Sequence, residues 1–271
     1  MDCFAHSHDF CADNISTGYD DKLILENMNI TIPAGKFSVI IGSNGCGKST
    51  LLKSFARLLK PKNGAILLDG KSIYELPTQH LAKQIGLLPQ SPIVPSGITV
   101  ADLVARGRFP YQNLFGQLSK ADYKAITAAM DAMGIADLAD KSVDSLSGGQ
   151  RQRVWIALVL AQDTDILLLD EPTTYLDIAY QVEILDCLAT LNRIKKTTIV
   201  AILHDINLSI RYADHIFAMK KGKLIAEGNP SEIITPQLMK EVYGMDSSII
   251  IDPETGDPYV IPRSKAQRIV A

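Results

Sequence analysis

The chain predicts an α/β fold built on a largely parallel sheet, and three observations carry that prediction. Short apolar runs alternate with helix-period segments along most of its 271 residues. Those runs end at glycine, proline or charged residues, as strands feeding turns do. Hydrophobic residues make up 46% and charged residues 21%, enough apolar material for one large core and ordinary globular usage.

The elements follow in order. A loosely held leader runs into a first strand. Residues 37–41 (FSVII) read as a buried strand stopping at Gly42, and residues 49–59 as a helix ended by Lys60-Pro61. Residues 64–69, followed by Gly70, form part of a hairpin, and residues 85–88 are a strand ending at Pro89-Gln90. From Thr99 to Met133 the pattern is helical, with Thr99/Asp102 and Ser119/Asp122 spaced as helix starts and Gly134 as a stop. Residues 166–169, 198–203 and 215–219 are strands, and residues 178–191 the intervening helix. Lys221-Gly222 turns one strand into the next. With no internal repeat and no flexible linker, residues 1–271 read as a single domain. An α/β core over about 10–90 and 161–245 carries a helical insert at about 91–160, and 246–271 form a tail.

Composition excludes several classes. Lys and Arg number 27 against 30 Asp and Glu, a net charge of −3, which argues against a nucleic-acid coat; no nucleic-acid partner is expected. Gly and Pro counts of 18 and 13 exclude a collagenous or low-complexity chain. The longest apolar run, residues 154–161, falls short of the roughly 18 residues a membrane-spanning helix needs. The N-terminus has neither a basic start nor an apolar stretch of signal-peptide length, so export is not expected. Cys3, Cys11, Cys46 and Cys187 show no metal-site spacing and read as reduced cytoplasmic thiols. Cys3, His6, His8 and Cys11 do form a short cluster able to hold a metal; the competing reading is the loosely held leader.

The chemistry is concentrated in two motifs. Gly42-Ser43-Asn44-Gly45-Cys46-Gly47-Lys48-Ser49 fits G-x-x-x-x-G-K-[ST] between a strand and a helix, the context this phosphate loop requires. Its glycines let successive backbone N–H groups converge on an anion, and the helix start adds its positive dipole end; Thr50 follows in that first turn. Lys48 is expected to reach the β- and γ-phosphates and Ser49 to ligate Mg²⁺. Further on, Ile166-Leu167-Leu168-Leu169-Asp170-Glu171 is an apolar strand ending in two carboxylates, which belong at the strand's carboxyl end, where open α/β sheets bind ligands. Asp170 is expected to hold the Mg²⁺ shell and Glu171 to polarise an attacking water. Cys46 reads as a small loop residue, not a redox thiol. Together these residues describe a P-loop nucleotidase.

Leu146-Ser147-Gly148-Gly149-Gln150 narrows that reading, because it resembles the signature motif of the ATP-binding cassette (ABC) ATPases. A Ser-Gly-Gly helix start also presents N–H groups and a hydroxyl suited to a phosphate, so a second nest suggests a site completed by another molecule. Gln90 resembles the family's Q-loop glutamine at the metal and γ-phosphate. Thr174-Tyr175-Leu176-Asp177 stands where its D-loop lies, altered from the usual form but keeping Asp177. His204 resembles the switch histidine, and Tyr19 the aromatic that stacks on adenine; a structural histidine and a turn tyrosine are the plain alternatives. The resemblance, spanning about residues 10–262, implies a RecA-like P-loop NTPase core, an antiparallel β subdomain and a helical signature subdomain. It also implies ATP and Mg²⁺ as ligands and a head-to-tail homodimer in which Ser147 and Gly149 of one copy complete the other copy's site. Integral membrane permease subunits would dock against the helical insert and Gln90, with Arg106 and Arg108 as candidates for that surface or as solvated charges. A periplasmic or lipoprotein substrate-binding protein would act indirectly, and the chain would lie on the cytoplasmic face of the inner membrane.

Finer similarities lie in residues 99–104 and 107–111, Pro172-Thr173-Thr174-Tyr175-Leu176-Asp177-Ile178, and the tail from Asp252-Pro253 through Gly256-Asp257-Pro258 to Pro262. They resemble the subfamily that energises import of ferric siderophores, haem and vitamin B12, with ferric siderophores favoured. Two other classes compete. A non-transport ABC mechanochemical ATPase usually carries two cassettes, a long coiled-coil insertion or a basic linker. A P-loop kinase would need an acceptor pocket and has no use for residues 146–150.

Overall fold

The computed structural model describes residues 8–90, 96–112, 116–174 and 176–264. Strands β1 (Phe10–Tyr19) and β2 (Lys22–Ile32) pair as an antiparallel hairpin. β3 (Phe37–Gly42) enters the glycine-rich turn that opens α1 (Lys48–Phe55). β4 (Asn63–Leu68) pairs with β1 and with the short β5 (Lys71–Ser72). Helix α2 (Thr78–Gln84) leads directly into β6 (Ile85–Leu88). The insert contributes α3 (Val100–Ala105), a 3-10 turn Arg106–Tyr111, α4 (Lys120–Ala132) and α5 (Gly148–Ala161). Then come β7 (Ile166–Asp170), α6 (Ile178–Lys195), β8 (Thr198–Ile202), α7 (Ile206–Tyr212), β9 (His215–Lys220) and β10 (Lys223–Gly228). The chain closes with α8 (Pro230–Ile233), α9 (Pro236–Tyr243) and the hairpin β11 (Ser247–Ile251) and β12 (Pro258–Pro262).

A six-stranded sheet in the order β10-β9-β3-β8-β7-β6 forms the centre, parallel throughout except at the β10 edge. Its strands alternate between two cores. Val39, Ile41, Leu167, Leu169, Ile199 and Ala201 face the side covered by α5 and α6. Ile40, Ile166, Leu168, Val200 and Ile202 face the side closed by α1 and the antiparallel sheet β2-β1-β4-β5. Burial on both faces explains why these strands appear in the sequence as unbroken apolar runs.

Three differences from the sequence reading have physical causes. The helix expected over 49–59 ends at Phe55, because Arg57 turns left-handed (φ 59°) and donates to the carbonyls of Ile73 and Leu76 at 3.0 and 2.8 Å. The helical stretch over 99–133 is broken by the 3-10 turn at Gly107 and Pro110. A Cβ at Gly107 would come within 2.3 Å of the Leu158 carbonyl, so only glycine lets this turn close against α5. Helix starts at Thr99 and Ser119 are as expected, each side chain accepting from the N–H three residues on.

Arg108, expected on a docking surface or in solvent, is instead 6% exposed. Its Nε donates to Asp122 Oδ1 at 2.8 Å and Nη1 to the Ala161 carbonyl at 2.7 Å, while its guanidinium stacks on Tyr111. Arg106 remains exposed. The pair rivets the 3-10 turn to α4 and to the end of α5. Hydrogen bonds from Ser119, opposed by burial and reinforced by Arg108, hold the Asp122 carboxyl down at about 2. Arg108→Ala leaves a buried carboxylate without its partner and is expected to lower unfolding free energy by about 3–5 kcal/mol in a denaturant titration. Because the folded carboxyl lies below its unfolded value near 4, this contribution is present at neutral pH and is lost as pH falls from about 4 toward 2.

Of the N-terminal cluster, Cys3 and His6 lie outside the described residues. His8 engages Asp69 through Nδ1 (2.7 Å) and Asp165 through Nε2 (3.3 Å), and Cys11 sits in β1. Among the described residues no group of three or more metal-ligating side chains occurs, and no helix is long and apolar enough to cross a membrane.

Candidate active site

Four neighbouring parallel strands, β3-β8-β7-β6, deliver the candidate residues at their carboxyl ends. β3 ends in the phosphate loop, β8 leads to His204, β7 ends at Asp170 with Glu171 following, and β6 leads to Gln90. Residues far apart in sequence meet because the strand register sets Asp170 beside Ile202 and Leu88 beside Leu169. The result is a cavity of about 480 Å³. Asn44, Gly45, Gly47, Lys48, Ser49 and Thr50 line one side of it; Gln90, Glu171 and His204 line another, with Tyr19 and Ile24 at its edge. Tyr19 is half-exposed, leaving its ring available for stacking.

Lys48 is buried, and its ammonium donates to the carbonyls of Gly42 (2.7 Å) and Ser43 (3.2 Å). No carboxylate pairs with it among the described residues. Gly42, Ser43 and Cys46 do not line the cavity. The Cys46 thiol is buried in the core beneath the loop, where burial pushes its pKa up, so it takes the role of a small packing residue.

Ser49 Oγ donates to Asp170 Oδ1 at 3.0 Å, pairing a hydroxyl of the cavity wall with a buried carboxylate that does not itself line the cavity. Burial, reinforced by the neighbouring Glu171 charge and opposed by Ser49, pushes the Asp170 carboxyl up. Lys48 and Lys53 offset that rise only in part; a divalent cation would add positive charge, and this pair of hard oxygens suits one. Glu171 sits at φ 57°, a left-handed conformation uncommon for a residue with a Cβ, which swings its carboxylate off the strand axis. His204 Nε2 meets Glu171 Oε1 at 2.7 Å, and Thr174 Oγ1 donates to Oε2 at 3.1 Å. Burial would raise the Glu171 pKa, but these bonds together with one from Gln90 outweigh it and hold the carboxyl below its ordinary value. An ionised carboxylate held by three donors can orient a water and take its proton.

The structure sets the 146–150 motif apart from this cavity. Ser147 caps α5: its hydroxyl accepts from Gln150 N–H at 3.3 Å, and Gln150 Oε1 accepts from Ser147 N–H at 3.1 Å. Ser147, Gly149 and Gln150 instead line a second depression of about 260 Å³, with Arg153 and Tyr180. Leu146 is buried and Gly148 starts the helix. Asp177 caps α6 by accepting from Tyr180 N–H at 3.2 Å. Ser147→Ala is expected to cost about 1 kcal/mol through the lost cap. It is also expected to depress ATP hydrolysis while leaving the first nucleotide-binding event intact, as a binding titration beside a turnover assay measures; loss of that first binding event would argue against a site shared between chains.

Two contacts escape sequence reading. Thr174 lies inside the D-loop stretch, and nothing in that pattern marks it as a donor to Glu171. Tyr243, whose hydroxyl accepts from Gly42 N–H at 3.1 Å, is 201 residues from its partner and carries no local signal.

The profile of the family described as "ABC transporter" matches residues 25–174. The ferric enterobactin transport ATP-binding protein FepC of Escherichia coli (strain K12) is 51% identical over 92% of this chain and 92% of its own. The iron(3+)-hydroxamate import ATP-binding protein FhuC of Bacillus subtilis (strain 168) is 47% identical over 91% of each. Among solved structures, the dimeric ABC transporter cassette MJ0796 superposes with a TM-score of 0.73 at 30% identity, covering 81% of this chain and 98% of that one.

Proposed function

The chain belongs to the ABC transporter family, and from that premise we propose that it is the ATP-hydrolysing subunit of an importer carrying ferric siderophores across the cytoplasmic membrane. The carrying observation is near-50% identity, over more than nine-tenths of both chains, to ATP-binding proteins named for ferric enterobactin and iron(3+)-hydroxamate transport. Nothing in the ATP site touches cargo, so the cargo assignment rests on those names, and haem or vitamin B12 import is the alternative.

In this reading adenine stacks on Tyr19 and the phosphates lie on the loop from Gly42 to Thr50, with Lys48 on the β- and γ-phosphates. Mg²⁺ fits the Ser49–Asp170 oxygens with Gln90 nearby; bound there it neutralises phosphate charge. Glu171 takes the proton of the water that attacks the γ-phosphorus as the bond to the ADP oxygen breaks, giving ADP and inorganic phosphate. His204, half-exposed beside Glu171, turns to the γ-phosphate. The depression at Ser147 and Gly149 supports a second copy as partner: each copy's α5 N-terminus, with the Asp177 loop, closes over the other's nucleotide. ATP then favours the closed dimer and hydrolysis the open one. Permease helices dock at the insert and Gln90, a substrate-binding protein acts from the far side of the membrane, and the chain sits peripherally on the cytoplasmic face.

Two measurements test the assignment. Free phosphate released from ATP without an acceptor separates hydrolase from kinase. A deletion strain should fail to grow on ferric siderophore as sole iron source yet grow on haem; growth on the siderophore would refute the cargo assignment, and the permease that co-purifies would identify the complex.

A further inference from the structure

The C-terminal helix α9 reaches back to the root of the phosphate loop. Leu238, Met239 and Val242 bury its inner face, Thr235 caps its start, and Gly244 (φ 67°) ends it. Lys220 Nζ, at the end of β9, donates to the Glu241 carbonyl at 2.5 Å and ties the helix to the central sheet. This anchoring brings the Tyr243 hydroxyl to Gly42 N–H at 3.1 Å.

Gly42 is an unusual point to hold. Its φ of 151° and its crowding admit no side chain, since a Cβ would lie 2.4 Å from the Met219 carbonyl and 2.7 Å from Cys46 Sγ. Its carbonyl accepts the Lys48 ammonium at 2.7 Å. The Gly42 residue is therefore gripped on both sides, N–H by Tyr243 and C=O by Lys48. Gly222 N–H adds a further tether, donating to the Cys46 carbonyl at 2.8 Å. Tyr243 lies well outside residues 25–174, the stretch that matches the family profile.

We propose that Tyr243 is a positioning residue for the phosphate loop: its hydroxyl fixes the Gly42 peptide, and through it the Lys48 ammonium, for the terminal phosphates of the nucleotide. The inference rests on the ATP site described above. Burial pushes the Tyr243 phenol up to about 12, so its hydroxyl stays neutral and the contact persists across the physiological range.

The test is Tyr243→Phe in the full-length chain, which removes one oxygen and keeps the ring. ATP, ADP and AMP are titrated against wild type, with Lys48→Ala in parallel and apo melting midpoints recorded. ATP and ADP dissociation constants should rise by about three- to tenfold, the range one hydrogen bond supplies, with AMP affinity and the melting midpoint nearly unchanged. KM for ATP should rise by a similar factor, with kcat less affected. Unchanged ATP and ADP affinity overturns the proposal, as does an equal loss for AMP or a loss that appears only with a lowered melting midpoint, which marks a packing role. A wild-type protein that fails to bind ATP, or a Lys48→Ala variant that binds it normally, would instead remove the ATP-site reading on which the proposal rests.

Discussion

Lys48→Ala is expected to abolish ATP turnover and weaken ATP binding by at least about a hundredfold. Lys48 is 7% exposed and its ammonium is held by two backbone carbonyls, with no carboxylate at ion-pair distance among the described residues. Asp170 lies near enough to feel this charge without bonding it, so the ammonium is able to engage a phosphate in a partly desolvated cavity, where that interaction is stronger than in water. Alanine removes the charge and leaves the Gly42 and Ser43 carbonyls without their donor. The fold should survive, because the loss is confined to the cavity wall; circular dichroism checks that point and equilibrium nucleotide titration checks affinity. Normal ATPase activity in the variant would sink the phosphate-loop assignment.

Glu171→Gln is expected to separate binding from chemistry. Turnover should fall by about 10²- to 10⁴-fold, the range of a lost general base, while ATP still binds and the chain accumulates as an ATP-bound dimer. The amide is nearly isosteric and its oxygen can still accept from His204 or Thr174, so the cavity keeps its shape. What disappears is the negative charge that three donors hold in place. The downward shift of the wild-type carboxyl keeps it ionised throughout the neutral range, so the acid limb of the wild-type pH–rate profile should lie below the ordinary glutamate value near 4.3. Size-exclusion chromatography with ATP and single-turnover phosphate release read the two halves separately. A monomeric, fully active variant would refute both.

The central strands were legible because they are buried on two faces: residues 166–169 and 85–88 read as apolar runs, and the structure adds only Asp170 to the first and nothing to the second. The first hairpin was not. β1 alternates irregularly, with Asp13, Asn14 and Ser16 interrupting the apolar positions, and its register shifts three times against β2. Those bulges erase the period-two signal on which strand reading depends. At the site, motif spacing alone set Lys48, Ser49, Asp170 and Glu171 together, since a strand-turn-helix unit leaves little choice of geometry. Arg108 shows the opposite case. Its arginine-rich neighbourhood looked like surface, and its partner Asp122 was visible only as a helix-start residue. A charge is read as solvated by default, and only the packed tertiary structure reveals the buried carboxylate that overrides the default.

The arrangement of reactive groups on four adjacent strand ends has a consequence for the life of the protein in a cell. A nucleotide seated there touches segments spread from residue 19 to residue 204, so it binds the folded chain and has no comparable site on an unfolded one. By mass action, free ATP at a hundred times its dissociation constant would deepen the native well by about 2.7 kcal/mol. Nucleotide occupancy and protein lifetime are thereby linked: a subunit emptied of nucleotide would lose part of what keeps it folded and out of reach of proteases.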